Sequence, residues 1–212
     1  MRTSLIPILV LMLAGCATPP ARASVDDPAA AWERRQQRLA HIDAWDLHGR
    51  LAVSTADEAG NASFHWVRRR ERNRLTFAAP FGGGRMRLDY DGEHATLTDR
   101  RGEVHHGASI QELLARATGW WLPVQGLEHW MLGLPAPSVP AQRKLDRWGR
   151  LSTLLQGGWR IEYVEYVEQD GYELPRRIFL RRQHDGVFEA LEARFVIERW
   201  SVRDTVAARR VP

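Results

Sequence analysis

The chain has 212 residues, with 30 Lys and Arg, 26 Asp and Glu, and a formal net charge of +4. This length suits one domain with a substantial core. Lys144 is its only lysine, so the arginine excess indicates a coding bias more than a nucleic-acid surface, and we predict no nucleic-acid partner. Because there is a single cysteine, an intrachain disulfide is excluded and apolar burial alone must hold the fold.

The N-terminus has the pattern of an export signal. Arg2 is followed by an apolar run that begins at Leu5 and leads into Leu13-Ala14-Gly15-Cys16. The run is shorter than the about 20 residues that a transmembrane helix needs, and small residues precede Cys16, as a signal peptidase requires. The motif resembles a bacterial lipobox, so we predict a signal peptide at 1–15 and lipid on Cys16. The alternative is an ordinary secretory signal with an incidental cysteine.

Lipid on the predicted N-terminus would fix the protein to a membrane. Each buried CH2 contributes about 0.8 kcal/mol, so three acyl chains would anchor it stably where one would not. By resemblance to lipoproteins of enteric-type bacteria, Ala17 after the cysteine favours the outer membrane. We predict an acylated N-terminus and tether over 16–25, a flexible Pro-containing segment, and one folded domain over 26–212.

The domain begins with a predicted helix and continues mainly in strands. Asp26 or Asp27 can cap a helix that has Pro28 in its first turn and runs to about Ile42. From Trp45 onward the apolar residues alternate with a period of two, which predicts strands that pair as antiparallel hairpins. The alternation covers these positions: 47–53, 64–66, 75–77, 86–90, 95–97, 151–155, 159–163, 178–180 and 191–197.

Two predicted helices interrupt the strands. Ser109 begins a capping-box pattern, and Gly119 can end that helix. A second helix starts at Pro123 and ends before Gly133, with an apolar stripe on one face. The sequence therefore predicts a mainly β fold of about ten antiparallel strands, curled into an open or closed barrel whose mouth the helices plug.

Nine tryptophans are many for a chain of this length. Each can bury about 150–250 Å², so they could fill a large core or line an apolar cavity, and the sequence leaves both open.

Catalytic and metal motifs are weak. No G-x-S-x-G is present. His105 and His106 point to opposite faces if they lie in a strand, and the glycines at 82–84 lack the lysine and the helix of a phosphate loop. We predict that the protein is not an enzyme and has neither a metal site nor a cofactor.

Several short motifs together resemble the LolB family of outer-membrane lipoproteins. The most specific are a Trp-Met-Leu-Gly-Leu-Pro helix end and a Gly-Trp-x-x-x-Tyr strand, combined with the lipobox. The segments that carry the resemblance are Trp45 with 49–51, 64–66, 80–82, 119–124, 127–135, 158–163 and 174–175. They span nearly the whole predicted mature chain.

The resemblance implies a single unclosed antiparallel β-barrel of about ten to eleven strands, with a lid of helices around an apolar cavity. It implies a monomer in the outer membrane, facing the periplasm. The protein would take acylated lipoproteins from the periplasmic carrier LolA by binding their acyl chains, and insert them into outer-membrane phospholipid. The alternative hypothesis is a structural lipoprotein that acts as an adaptor of an envelope assembly machine.

One loop differs from the family pattern. The family has Pro-Leu-Gly where this chain has Pro80, Phe81 and Gly82, followed by two more glycines. An apolar side chain at a hairpin tip is unusual because polar residues are expected there. By resemblance these three residues form a membrane-insertion loop; the alternative is that Phe81 folds back onto the barrel.

The predicted acyl-chain cavity combines residues on the inward registers of the strands with residues on the apolar stripe of the second central helix. Aromatic rings and flexible Met suit a site that accepts chains of variable shape. The predicted lining residues are Leu51, Trp66, Leu88, Tyr90, Trp130, Met131, Ile161, Tyr163, Phe195 and Ile197.

Overall fold

The computed structural model describes residues 24–186 and 188–203, and at Phe81 it describes the backbone only. Cys16, the predicted signal peptide and most of the predicted tether lie outside the described residues, so the predictions about them remain predictions. In the described part of the chain, no helix has the length and apolar character needed to cross a bilayer.

The described residues form three helices and eleven strands, with one short 3-10 turn at Pro80–Gly82. The helices are α1 Pro28–Ala40, α2 Ile110–Thr118 and α3 Val124–Met131. The strands are β1 Ala44–Ser54, β2 Ala59–Arg69, β3 Arg72–Ala78, β4 Arg85–Tyr90, β5 Ala95–Thr98, β6 Val104–Gly107, β7 Ala141–Leu145, β8 Leu151–Gln156, β9 Trp159–Gln169, β10 Tyr172–Arg182 and β11 Leu191–Arg203.

All eleven strands belong to one antiparallel sheet. Its order is β6-β5-β4-β3-β2-β1-β11-β10-β9-β8-β7, so β1 and β11 pair at its centre and β6 and β7 are its two free edges. Because the edges do not pair with each other, the barrel is not closed. The predicted fold class, an unclosed antiparallel barrel with helices, is confirmed.

The turns between strands gather at two ends of this half-barrel. We call one the α1 end, because α1 lies against it, and the other the loop end, because it carries the 3-10 turn. The α1 end consists of 70–71, 91–94, 146–150 and 170–171, and the loop end of 55–58, 79–84, 99–103, 157–158 and the described parts of 183–190.

Helix α1 begins as predicted after an aspartate that caps its N-terminus. Asp27 Oδ1 accepts the backbone N–H groups of Ala29 and Ala30 at 2.9 and 3.1 Å, which satisfies donors that have no intrahelical partner. The helix buries Trp32 on its inner side and packs closely on the β7–β8 turn, where a Cβ at Gly149 would lie 2.7 Å from Pro28 O. The sequence therefore places a glycine where the helix backbone comes closest.

Tryptophans form the centre of the core, on the concave face of the sheet. Trp45 packs edge-to-face against Trp66 and Trp200, with ring centroids 5.1 and 5.8 Å apart. Trp200 also donates its ring N–H to Pro175 O at 2.9 Å. Such contacts add to the apolar burial that holds this fold.

Helices α2 and α3 cover the concave face. Ser109 Oγ accepts the N–H of Glu112 at 3.3 Å, and Gly119 ends α2 with a φ of +74°, so both predicted caps are confirmed. Helix α2 packs on β4, β5 and β6, and α3 follows after a short connector.

Candidate functional site

An apolar cleft of about 200 Å³ opens between α2 and strands β1 to β4, at the loop end. Its walls are mostly apolar side chains, and Arg100 supplies a cation at its rim. The apolar lining residues are Leu51, Ala62, Phe77, Ala79, Met86, Leu114, Trp120 and Leu122. The cleft is smaller than the about 300–1,000 Å³ of a typical ligand pocket, so a long ligand requires it to widen.

Trp120 forms one wall of the cleft, just after α2. Its backbone N–H donates to Thr118 Oγ1 at 3.1 Å, and the Thr118 hydroxyl in turn donates to Leu114 O at 2.8 Å. The indole lies so close to β2 that a Cβ at Gly60 would be 2.6 Å from Trp120 Cζ2. Glycine at this position therefore lets the ring lie against the strand backbone.

The predicted insertion loop borders this cleft. Ala79 and Gly84, which flank the 3-10 turn, both line the cleft, and Ala79 N–H donates to Gly84 O at 3.1 Å. Gly82 and Gly84 have φ values of +77° and +95°, which glycine adopts without strain. Pro80 and Gly82 are exposed. The Phe81 side chain lies outside what the structure describes, so its role as a membrane wedge remains a prediction.

The ten residues predicted to line a cavity are divided between three places. Leu51 lines the cleft. Tyr90 is half-buried near the α1 end, where its hydroxyl donates to Gly92 O at 2.9 Å and accepts from Gln125 Nε2 at 2.7 Å. The other eight are buried in the core: Trp66, Leu88, Trp130, Met131, Ile161, Tyr163, Phe195 and Ile197. Their role in binding acyl chains remains a prediction.

A buried polar network fastens α3 to one half of the sheet. Glu128 Oε1 accepts from Asn73 Nδ2 at 2.9 Å and its Oε2 pairs with Arg68 at 2.9 Å. Asn73 Oδ1 also accepts the ring N–H of Trp66 at 3.0 Å. Burial raises the pKa of the Glu128 carboxyl, while the positive charge of Arg68 acts in the opposite direction.

Sequence reasoning missed Glu128, although a signal was present. It lies on the same stripe as Val124, Leu127 and Met131, at the i, i+3, i+4 and i+7 spacing of an inward helical face. A carboxylate on that stripe is rarely buried unless it is paired. The stripe therefore indicates a buried partner, but not which strand supplies it.

Helix α3 is fastened to the other half of the sheet as well. Trp130 donates its ring N–H to Gln156 Oε1 at 2.8 Å, and Tyr163 donates its hydroxyl to Trp130 O at 3.1 Å. In the described part of the chain, by contrast, the hydrogen bonds of α2 remain within that helix, its caps and the adjoining Trp120. Helix α2 is thus held on the sheet by apolar contacts, which have no fixed direction.

The fold resembles that of two solved proteins. A LolA superfamily protein from Nitrosomonas europaea superposes with a TM-score of 0.52 at 9% identity, over 90% of this chain and 99% of the other. A DUF1329 family protein from Desulfovibrio piger superposes with a TM-score of 0.53 at 11% identity, over 85% and 94% of the two chains. At this identity the likenesses show the fold alone, a half-barrel covered by helices.

Sequence comparison gives the family. The model of the family described as outer membrane lipoprotein LolB matches residues 43–200. Outer-membrane lipoprotein LolB from Nitrosococcus oceani is 36% identical, over 95% of this chain and 98% of that protein. The protein of the same name from Alkalilimnicola ehrlichii is 37% identical, over 92% and 94%. The chain belongs to the LolB family of outer-membrane lipoproteins.

This membership confirms the resemblance on which the functional prediction was based. The protein is an outer-membrane lipoprotein that faces the periplasm and has the lipoprotein-receptor function of its family. The adaptor hypothesis is not favoured.

Proposed function

We propose that the cleft beneath α2 receives the acyl chains of lipoproteins delivered by the periplasmic carrier LolA, and that the neighbouring loop passes them into outer-membrane phospholipid. The observation that carries this proposal is the position of the cleft: it is apolar, it opens at the loop end, and residues on both sides of the 3-10 turn line it. A chain that leaves the cleft there meets the loop first.

Helices α2 and α3 are attached to the sheet by different contacts, and this difference supports a way for the cleft to widen. Helix α3 is tied by buried hydrogen bonds to both halves of the sheet. Helix α2 instead packs through apolar side chains. Leu113, for example, lies so close to β6 that a Cβ at Gly107 would be 3.3 Å from its Cγ. Apolar contacts can be exchanged for contacts with an acyl chain at little cost, so α2 is the helix that moves.

Anchoring completes the proposed cycle. Lipid on Cys16 holds the domain at the membrane, and the tether over 16–25 lets the loop end approach the lipid surface. We propose that transfer runs down a gradient of affinity with no catalytic residue and no cofactor. A tenfold preference at each step requires about 1.4 kcal/mol, which a modest increase in apolar contact area supplies.

The proposal is tested by filling the cleft. Ala62 lies in β2, is partly buried and lines the cleft. We expect Ala62→Phe to weaken binding of a fluorescent acyl probe at least tenfold and to slow uptake of lipoprotein from the carrier. Ala52 is the matched control, because it is exposed on the adjacent strand, so Ala52→Phe adds the same ring outside the cleft.

Both variants should keep the far-UV circular dichroism of the parent protein. Equal binding of the probe by Ala62→Phe, Ala52→Phe and wild type would place the acyl chain elsewhere and would reject the cleft.

A further inference from the structure

Two histidines and an aspartate converge on the outer face of the sheet, away from the cleft. His65 Nε2 lies 2.8 Å from Asp46 Oδ1, and His48 Nε2 lies 3.3 Å from the same oxygen. The two imidazoles stack, with centroids 3.8 Å apart and planes 12° from parallel. Each of the three side chains is about a third exposed, at 29–39%, so solvent reaches the cluster.

The strands build this cluster. His48 and His65 are directly opposite each other in the β1–β2 ladder, and Asp46 lies two residues before His48 on the same face. On the other side of β1 the register with β11 shifts between His48 and Gly49. A Cβ at Gly49 would lie 2.3 Å from Val196 O, so glycine permits this bulge, and bulges re-aim neighbouring side chains.

The chemistry of the donor set is selective. Two imidazole nitrogens and one carboxylate oxygen are the protein ligands of an open zinc site, whose fourth position holds water or another small ligand. Imidazole favours zinc and copper over magnesium and calcium, which prefer oxygen.

In contrast to the sequence prediction of no metal site, we propose that Asp46, His48 and His65 form a binding site for a divalent transition-metal ion, with Zn²⁺ the best fit. The three ligand atoms lie within 4.8 Å of one another. Zinc–ligand bonds of about 2.0–2.1 Å in a tetrahedron place the ligand atoms about 3.3 Å apart. Binding of the ion would therefore replace the contacts of both imidazoles with Asp46 Oδ1.

A second cluster provides the comparison. Asp99, Glu103 and His105 also bring their ligand atoms together, but they offer one imidazole and lie in and beside the exposed turn before β6. Exposed carboxylates around a single imidazole carry weaker selectivity for zinc. His105 is therefore the control residue.

The test is titration of the purified full-length protein in detergent with ZnCl2, followed by calorimetry. We expect one saturable site in the wild type, and at least a tenfold loss of affinity in the double variant His48→Gln, His65→Gln. Asp46→Asn should weaken the site as well, whereas His105→Gln should bind like the wild type. Zinc should also raise the unfolding midpoint of the wild type and of His105→Gln, but not that of the double variant.

Nuclear magnetic resonance gives a readout specific to the two rings, because the Hε1 signals of His48 and His65 should shift together on addition of zinc. The far-UV circular dichroism of each zinc-free variant confirms its fold. If the double variant does not fold, Asp46→Asn and the Hε1 shifts decide the question. The absence of saturable binding by the wild type, or unchanged affinity in the double variant, would overturn the proposal.

Discussion

The two ends of the half-barrel are built by different means. At the α1 end, charged groups connect α1 to the β7–β8 turn and to the start of β10: Glu173 lies between Arg35 and Arg150, at 3.2 and 3.3 Å, and Arg150 also pairs with Asp146 at 2.8 Å. At the loop end, an apolar cleft and glycine-rich turns take their place. Directional ion pairs fix a geometry, whereas apolar contacts allow a surface to rearrange. The α1 end is thus the more rigidly fixed of the two, and the proposed function assigns lipid handling to the other.

The largest effect is expected from breaking the α1 end. Glu173→Ala leaves the two largely buried guanidinium groups of Arg35 and Arg150 without this carboxylate. Removing one partner of a buried ion pair costs about 3–5 kcal/mol, and we expect a loss near the lower value in the free energy of unfolding by urea.

The matched control for that prediction is the exposed pair of Arg50 and Glu198, at 2.7 Å. Glu198→Ala should cost less than about 1 kcal/mol. If the two alanine variants lose equal stability, the α1 end is not locked by its ion pairs.

A smaller effect on stability is expected at α3. Glu128→Ala leaves Asn73 and Arg68 without their buried acceptor, which we expect to cost about 2–3 kcal/mol in the free energy of unfolding. The same variant should leave the rate of acyl-probe entry unchanged, because the residues that line the cleft do not include α3 and α2 is the helix proposed to move. Stopped-flow fluorescence measures that rate, and faster entry in Glu128→Ala would show that release of α3 also opens the cleft.

Crowding the cleft wall should have a still smaller effect on stability. Gly60→Ala places a Cβ against the ring of Trp120, and overpacking of this kind costs about 1 kcal/mol. The shift of the indole should change its fluorescence and the affinity for the acyl probe. Gly92→Ala is the control, since a Cβ at the Gly92 turn of the α1 end meets no atom within 4 Å; its positive φ also costs stability, but acyl affinity should not change.

The smallest expected effect is the pH dependence of the contribution that Glu128 makes to the free energy of unfolding. Because burial raises the pKa of Glu128, the native state holds that proton more tightly than the unfolded state does. The resulting stability is present below the ordinary carboxyl pKa and is lost as the pH rises through the raised one. The difference in unfolding free energy between wild type and Glu128→Gln should therefore fall as the pH rises above about 4. A difference that grows over this interval would mean that Arg68 dominates.

Much of the fold follows from periodicity and caps. The alternation of apolar residues predicted the long strands, and Asp27, Ser109 and Gly119 mark helix ends that the structure confirms. The edge strands β6 and β7 were not identified because they are exposed on both faces, so their sequences show no alternation. Their exposure is the reason why the alternation marks nine segments, whereas the described residues form eleven strands.

The arrangement of the site was less predictable. Inward registers identified Leu51, Trp66 and Ile161 as core-facing, but periodicity cannot tell a cavity wall from a filled core. The cleft depends on where α2 lies over the sheet, which long-range packing decides. Likewise, Arg35 and Glu173 are 138 residues apart, and nothing local in the sequence pairs them. Local sequence patterns therefore predict the helices and strands, whereas the difference between the two ends of the half-barrel depends on tertiary contacts.

The central claim is that acyl chains enter at the loop end and beneath α2. The most direct measurement is to load the protein with a lipoprotein whose acyl chains carry a photoreactive group, irradiate it, and map the cross-linked residues by mass spectrometry. We expect cross-links at Ala62, Leu114 and Trp120, which line the cleft. Cross-links concentrated at the α1 end, around Tyr90 and Trp148, would contradict it.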